Sequence, residues 1–146
     1  MEAKRRGGWR AASKWASLVA SLRLESNKAR QNAGPLASRI QFVIDDLTHF
    51  KASQTDFETG FDVVMAFFYL EREIFAELVA ALRPGGLLVY KTYTRAQVER
   101  PGDPKNPAHL LDPGELLQLA GGLSVLHYRE QVAEKATAEL VARREV

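Results

Sequence analysis

Residues 61–94 read FDVVMAFFYLEREIFAELVAALRPGGLLVYKTYT, and the rest of the chain is arranged around them. The stretch opens on an apolar run, Phe61–Phe68, in which Val63, Val64 and Met65 follow one another without a polar break. Such a run predicts a strand buried on both faces, as in a parallel sheet. Ile74, Leu78, Val79 and Leu82 then recur at helical spacing, with Glu71, Arg72, Glu73 and Glu77 between them. Pro84-Gly85-Gly86 stops that helix and turns the chain into a second apolar run, Leu87–Tyr90. The pattern is a strand–helix–strand crossover, which within one sheet is right-handed and parallel.

Composition narrows the class. A chain of 146 residues with 46% hydrophobic and 26% charged content is ordinary for one globular domain spanning 1–146. No apolar run approaches the ~18–20 residues needed to cross a bilayer, so no membrane partner is expected. Cysteine is absent, which rules out disulfides and thiolate metal sites and permits a reducing, cytoplasmic location. His49, His109 and His127 are far apart without ligand spacing, and no metal site is expected.

The net charge of +2 conceals an asymmetry. Residues 1–44 hold nine Lys/Arg against Glu2 and Glu25, which leaves −5 for the remainder. The basic segment 1–24 is atypical. Its Arg/Ser-rich, acid-poor composition resembles a transit peptide, a nucleic-acid tail or a solvated helix. Too few aromatics interleave the basic residues to argue a nucleic-acid platform, so nucleic acid is not an expected partner. Residues 15–24 fit two periods. Trp15, Leu18, Val19 and Leu22 share a helical face, whereas Leu18, Ala20, Leu22 and Leu24 alternate as in a strand. The reading adopted is a helix through about 17 and a strand from about 18 to 24.

Onward, a short polar helix is predicted over Asn27–Ala33, stopped by Gly34-Pro35. Ile40–Ile44 is a strand with Asp45-Asp46-Leu47 at its carboxyl end, followed by polar loop over 48–60. RAQVERPGDPKNPAH, residues 95–109, holds three prolines and a glycine and reads as a loop or lid. Asp112-Pro113-Gly114-Glu115 opens a helix with Asp112 as N-cap and Leu116, Leu117 and Leu119 as its core face; Gly121-Gly122 ends it. Leu123–Glu130 and Ala136–Arg143 alternate as an antiparallel pair.

FDVV followed by LRPGGLLVY resembles the second half of the class I S-adenosylmethionine-dependent methyltransferases. FFYLER and PKNPAHLLDPGELL are similar to the small bacterial enzymes of the tellurite-resistance type. The resemblance covers roughly residues 25–146. It implies a Rossmann-like α/β fold with a mostly parallel sheet and a C-terminal antiparallel hairpin at one edge. It also implies a first strand and G-x-G-x-G turn before Glu25. The glycines there are Gly7-Gly8, preceded by Lys4-Arg5-Arg6 with no acid and no strand, so this part is missing or altered. Either Leu18–Leu24 slides into the vacant place or another chain supplies a strand, which makes a homodimer a candidate assembly.

Ligands of open α/β sheets bind beyond the carboxyl ends of the strands. The resemblance implies S-adenosylmethionine as cofactor. Glu25, in Glu25-Ser26-Asn27 with Ala29, which resembles the family's E-x-N-x-x-A turn but is one residue shorter, would take the ribose hydroxyls; Asp46 would accept from the adenine amine, with Leu47 against the ring. Ala66, Phe67 and Phe68 would line the methionine part, and aromatic faces also attract a sulfonium. Tyr69, Tyr93, Asn106 and His109 would face a small-molecule methyl acceptor, with Lys91 where relatives carry an acid. No catalytic residue is assigned, because the sulfonium is already activated and the protein chiefly aligns and dehydrates. The alternative is a catalytically silent remnant acting as a dimeric interaction module.

Overall fold

A computed structural model describes residues 15–18, 23–43, 47–54 and 60–146. Gly7-Gly8, Asp45, Asp46 and most of the expected strand 18–24 lie outside the described residues. The chain divides into two compact units, Met1–His49 and Phe50–Val146.

In the first unit β1 (Trp15–Leu18) precedes α1 (Arg23–Ala33) and β2 (Ile40–Val43), and β1 and β2 pair in parallel from Trp15↔Ile40 to Leu18↔Val43. The strand therefore sits before the expected 18–24, and the helix starts four residues before Asn27. Arg23, Leu24, Glu25, Lys28 and Ala29 are good helix formers, and together they draw this segment into α1. Gly34 stops the helix in a left-handed conformation (φ +52°), and a 3-10 turn, Gly34–Arg39, leads into β2.

The second unit carries the crossover. β3 (Phe61–Phe67) runs parallel to β4 (Leu82–Tyr93), joined by a 3-10 turn at Arg72–Ile74 and α2 (Phe75–Ala80). After β4 come 3-10 turns at Arg95–Glu99 and Pro107–His109, then α3 (Glu115–Leu119) and the hairpin β5 (Ser124–Val132) and β6 (Ala136–Arg143). The strand order is β3-β4-β6-β5, with the hairpin antiparallel as expected. The described strands form this four-stranded sheet and the two-stranded one, not a seven-stranded sheet.

Pro84-Gly85-Gly86 is more than a turn. The ladder jumps from Phe61↔Leu82 to Val63↔Leu87, so these residues bulge within β4. Gly86 sits so close to β3 that a Cβ there would lie 2.8 Å from the Phe61 carbonyl oxygen.

The core lies on one face of the sheet. Leu88, Tyr90, Ala138, Leu140 and Ala142 pack against Phe75 of α2 and Leu116 and Ala120 at α3, with Val64 and Ala66 joining from β3. The Phe75 and Tyr90 rings stand 5.1 Å apart. Two-sided burial of β3 is not what the fold gives. Its alternate residues Val63, Met65 and Phe67 are 40%, 60% and 51% exposed, because α2 and α3 both pack on the opposite face. Leu117 likewise turns outward while Leu116 and Leu119 face the core.

Candidate functional site

The parallel register brings Ala66 beside Tyr90 and Phe67 beside Lys91, so β3 and β4 end on a common rim. Phe68, the next residue, adopts φ +55°, the one non-glycine left-handed residue among those described. A bulky residue there is strained, and such strain concentrates where a chain must present a group. Its N–H donates to the Lys91 carbonyl (2.8 Å), and its ring stands 5.0 Å from that of Tyr93, yet Phe68 remains 54% exposed. Two aromatic faces are thus held at the rim rather than in the core. On the core face of β4 the buried Tyr90 hydroxyl donates to the Tyr69 carbonyl. Burial raises the Tyr90 pKa far above its ordinary value, so this phenol stays a donor.

The segment after β4 is anchored to the same rim. Thr94 bridges Leu111, the Leu111 N–H donates to the Tyr93 carbonyl (3.0 Å), and Arg95 pairs with Asp112. That pairing takes Asp112 away from the capping role expected of it. The reach-back half of the box does form, with Glu115 Oε2 accepting from the Asp112 N–H (2.7 Å). Within the loop Gln97 is fully buried: its Oε1 accepts from the Ala136 N–H at 2.9 Å and its Nε2 donates to the Pro101 carbonyl at 3.2 Å. Lys105 Nζ donates to the carbonyls of Gln97 and Val98 (both 2.9 Å) and of Arg100.

Arg72 joins the turn after β3 to this loop. It donates from Nη1 to the Ala108 carbonyl (3.0 Å), from Nη2 to the Leu110 carbonyl (2.9 Å), and through Nε and Nη2 to the Glu115 carboxylate. The hydrogen bond from Arg72 holds the Glu115 carboxyl below its ordinary pKa, and Glu115 raises that of Arg72.

Of the residues singled out in the sequence, Ala66, Phe67, Phe68, Tyr69 and Tyr93 lie at this end of β3 and β4: the Phe68 and Tyr93 rings touch, Ala66 turns into the core and Phe67 is exposed on the opposite face. Asn106 is committed to local structure, its Oδ1 accepting from the Ala108 N–H at 3.0 Å. His109 is exposed on the loop's return limb. Lys91 pairs with Glu139 (3.3 Å), which also receives Arg129 and lies against His127; these neighbours hold the Glu139 carboxyl low. Glu25 and Leu47 belong to the first unit: Glu25 lies in the first turn of α1, not at a strand end, and Leu47 opens a 3-10 turn, Leu47–His49. Arg72 and Gln97 were not foreseen as site residues. Arg72 stands in FFYLER, but its partners lie 36 to 43 residues further along the chain.

Among the described residues no group of His, Asp and Glu could hold a metal ion, and no helix is long and apolar enough to cross a membrane. The Phe68 ring is exposed and that of Tyr93 half-buried, and aromatic faces of this kind attract cations.

No family model and no curated protein matches the sequence. Solved structures do match the fold. N-methyltransferase NodS from Bradyrhizobium japonicum WM9, solved also with S-adenosyl-L-homocysteine, is 18% identical with a TM-score of 0.66, over 88% of this chain and 73% of that one. An S-adenosylmethionine-dependent methyltransferase from Mesorhizobium loti is 19% identical with a TM-score of 0.66, over 90% and 81%. TehB from Haemophilus influenzae is 15% identical with a TM-score of 0.61, over 90% of this chain but only 50% of its own. This likeness establishes the architecture: the chain has the Rossmann-like α/β fold found in S-adenosylmethionine-dependent methyltransferases.

Proposed function

We propose that the chain transfers a methyl group from S-adenosylmethionine to a small-molecule acceptor, in the manner of the small tellurite-resistance-type enzymes. The observation that carries this is the aromatic rim: Phe68, strained and exposed, with its ring beside Tyr93 where two parallel strands end together. Phe68 and Tyr93 would attract the sulfonium, with Ala66 and Phe67 beside the methionine part and Tyr69 toward the acceptor. Asp46 would accept from the adenine amine and Leu47 would pack the ring. Bound S-adenosylmethionine supplies an already activated methyl group. The residues of this chain then need only hold the acceptor in line and keep water out.

Calorimetric titration with S-adenosylmethionine and S-adenosylhomocysteine tests the reading. Binding of both, lost in Asp46→Ala, is expected, as is a weaker preference for the charged ligand in Phe68→Leu. No heat from either ligand at millimolar concentration sinks it. A second reading, a silent methyltransferase-like module that dimerises, is favoured by the exposure of Val63, Met65 and Phe67. It calls for a dimer in sedimentation together with absent calorimetric binding.

A further inference from the structure

The loop from Arg95 to Leu111 is held by hydrogen bonds of its own. Its ends are stitched by Arg95 N–H to the Leu111 carbonyl (2.9 Å) and Leu111 N–H to the Tyr93 carbonyl (3.0 Å). Gln97 fixes its outgoing limb to the start of β6, and Lys105 gathers three carbonyls of that limb. The return limb has a different anchor. Arg72 binds two consecutive-turn carbonyls, those of Ala108 and Leu110, and the carboxylate that opens α3. Only a planar guanidinium offers donors in a fork that satisfies three acceptors on two sides at once. Arg72 itself follows Phe68 and Tyr69 in the turn after β3.

We infer that Arg72 is a positioning residue: it couples the turn carrying Phe68 and Tyr69 to the return limb of the loop, and so makes the acceptor side of the site a preformed wall rather than a closing lid. The inference rests on the methyl-transfer reading for what the wall selects. A wall already set in the free protein admits an acceptor small enough to enter without loop movement. Arg72 contacts neither reactant in this scheme; it acts through the backbone it holds.

Hydrogen exchange on the full chain, free and with S-adenosylhomocysteine, is the test. In the wild type the hydrogen-bonded amides of Arg95, Gln97, Arg100 and 108–111 are expected to be protected without ligand and to change less than about 2-fold on adding it. Arg72→Ala should speed exchange over residues 108–115 by about 10- to 100-fold, the range for a lost charged hydrogen-bond set. The β5–β6 hairpin should be unaffected, and S-adenosylhomocysteine affinity should stay within about 3-fold. Arg72→Lys keeps the charge but not the fork and should recover part of the protection. If Arg72→Ala does not fold, Glu115→Gln, which keeps an acceptor but loses the charge, should show the same local loosening in smaller degree. Fast loop exchange in the free wild type that slows only with ligand overturns the inference, as does uniform loosening of the whole second unit in the variants. Failure of the wild type to bind S-adenosylhomocysteine removes the methyl-transfer reading and leaves the ligand-free exchange to decide the role of Arg72.

Discussion

Replacing Gln97 by leucine should destabilise the second unit by a calculable amount. The side chain is fully buried, and its amide oxygen is the acceptor for the N–H of Ala136, itself fully buried at the start of β6. Leucine fills a similar volume but accepts nothing, so that N–H is left where water does not reach. An unsatisfied buried donor costs about 1–3 kcal/mol. The other half of the amide matters less, because the Pro101 carbonyl also accepts from Lys135 Nζ at 3.1 Å. The net loss is therefore about 1–3 kcal/mol, which lowers the melting temperature by roughly 3–10 °C for a chain of this size. Urea unfolding followed by far-ultraviolet circular dichroism measures it, with the slope against urea unchanged. A control sharpens the test. Gln97→Glu keeps the acceptor for Ala136 but buries a carboxylate, whose folded-state pKa burial raises. Stability in that variant is then greatest below the ordinary carboxylate pKa and is lost as pH rises through the raised one. A Gln97→Leu protein within about 0.5 kcal/mol of wild type would show that the amide is not what pins the loop to β6.

Three other perturbations follow from the same contacts. Leu140→Ala opens the centre of the core and should cost about 2–5 kcal/mol in the same urea experiment, since Leu140 is completely enclosed. Glu115 has its carboxyl held below the usual 4.5 by Arg72, so its contribution is present above pH 4.5 and is lost as pH falls below it. Glu115→Gln should accordingly flatten the acid limb of a stability–pH curve, and an unchanged limb refutes the assignment. Phe68→Gly removes the left-handed strain at φ +55° and should leave stability unchanged or raise it by up to about 1 kcal/mol, while calorimetry shows weaker S-adenosylmethionine binding.

The crossover and the hairpin were legible because each is written in a local period: Ile74, Leu78 and Val79 for the helix, and alternation through Ala136–Arg143 for the last strand. The misreadings have physical origins too. An unbroken apolar run says that a strand can be buried on both faces, not that both faces find cover, and Met65 is largely exposed. At 15–24 the side chains satisfied two periods at once, and the structure settles on a strand at Trp15–Leu18 and a helix from Arg23. Pro84-Gly85-Gly86 was read as the stop of a helix that includes Leu82, but the helix ends at Ala80, Leu82 already pairs with Phe61, and the three residues bulge within β4 because of the approach of Phe61, a residue far back in the chain. The site divides in the same way. Its aromatic rim lay in one contiguous stretch that could be read, whereas the grip of Arg72 on Ala108, Leu110 and Glu115 is a property of the folded chain alone.

The position of β6 has a bearing on how the second unit comes together. β6 follows β5 in sequence yet lies inside the sheet, where Leu87 of β4 pairs with Arg143. A nascent chain that has emerged only as far as β5 therefore has the parallel pair β3–β4 with a bare flank and a β5 with nothing to zip against. Closing that flank joins residues far apart along the polypeptide, a slow kind of pairing. Synthesis through Arg143 is thus a checkpoint for assembly: trimming back into β6 should leave β4 and β5 without the strand that joins them.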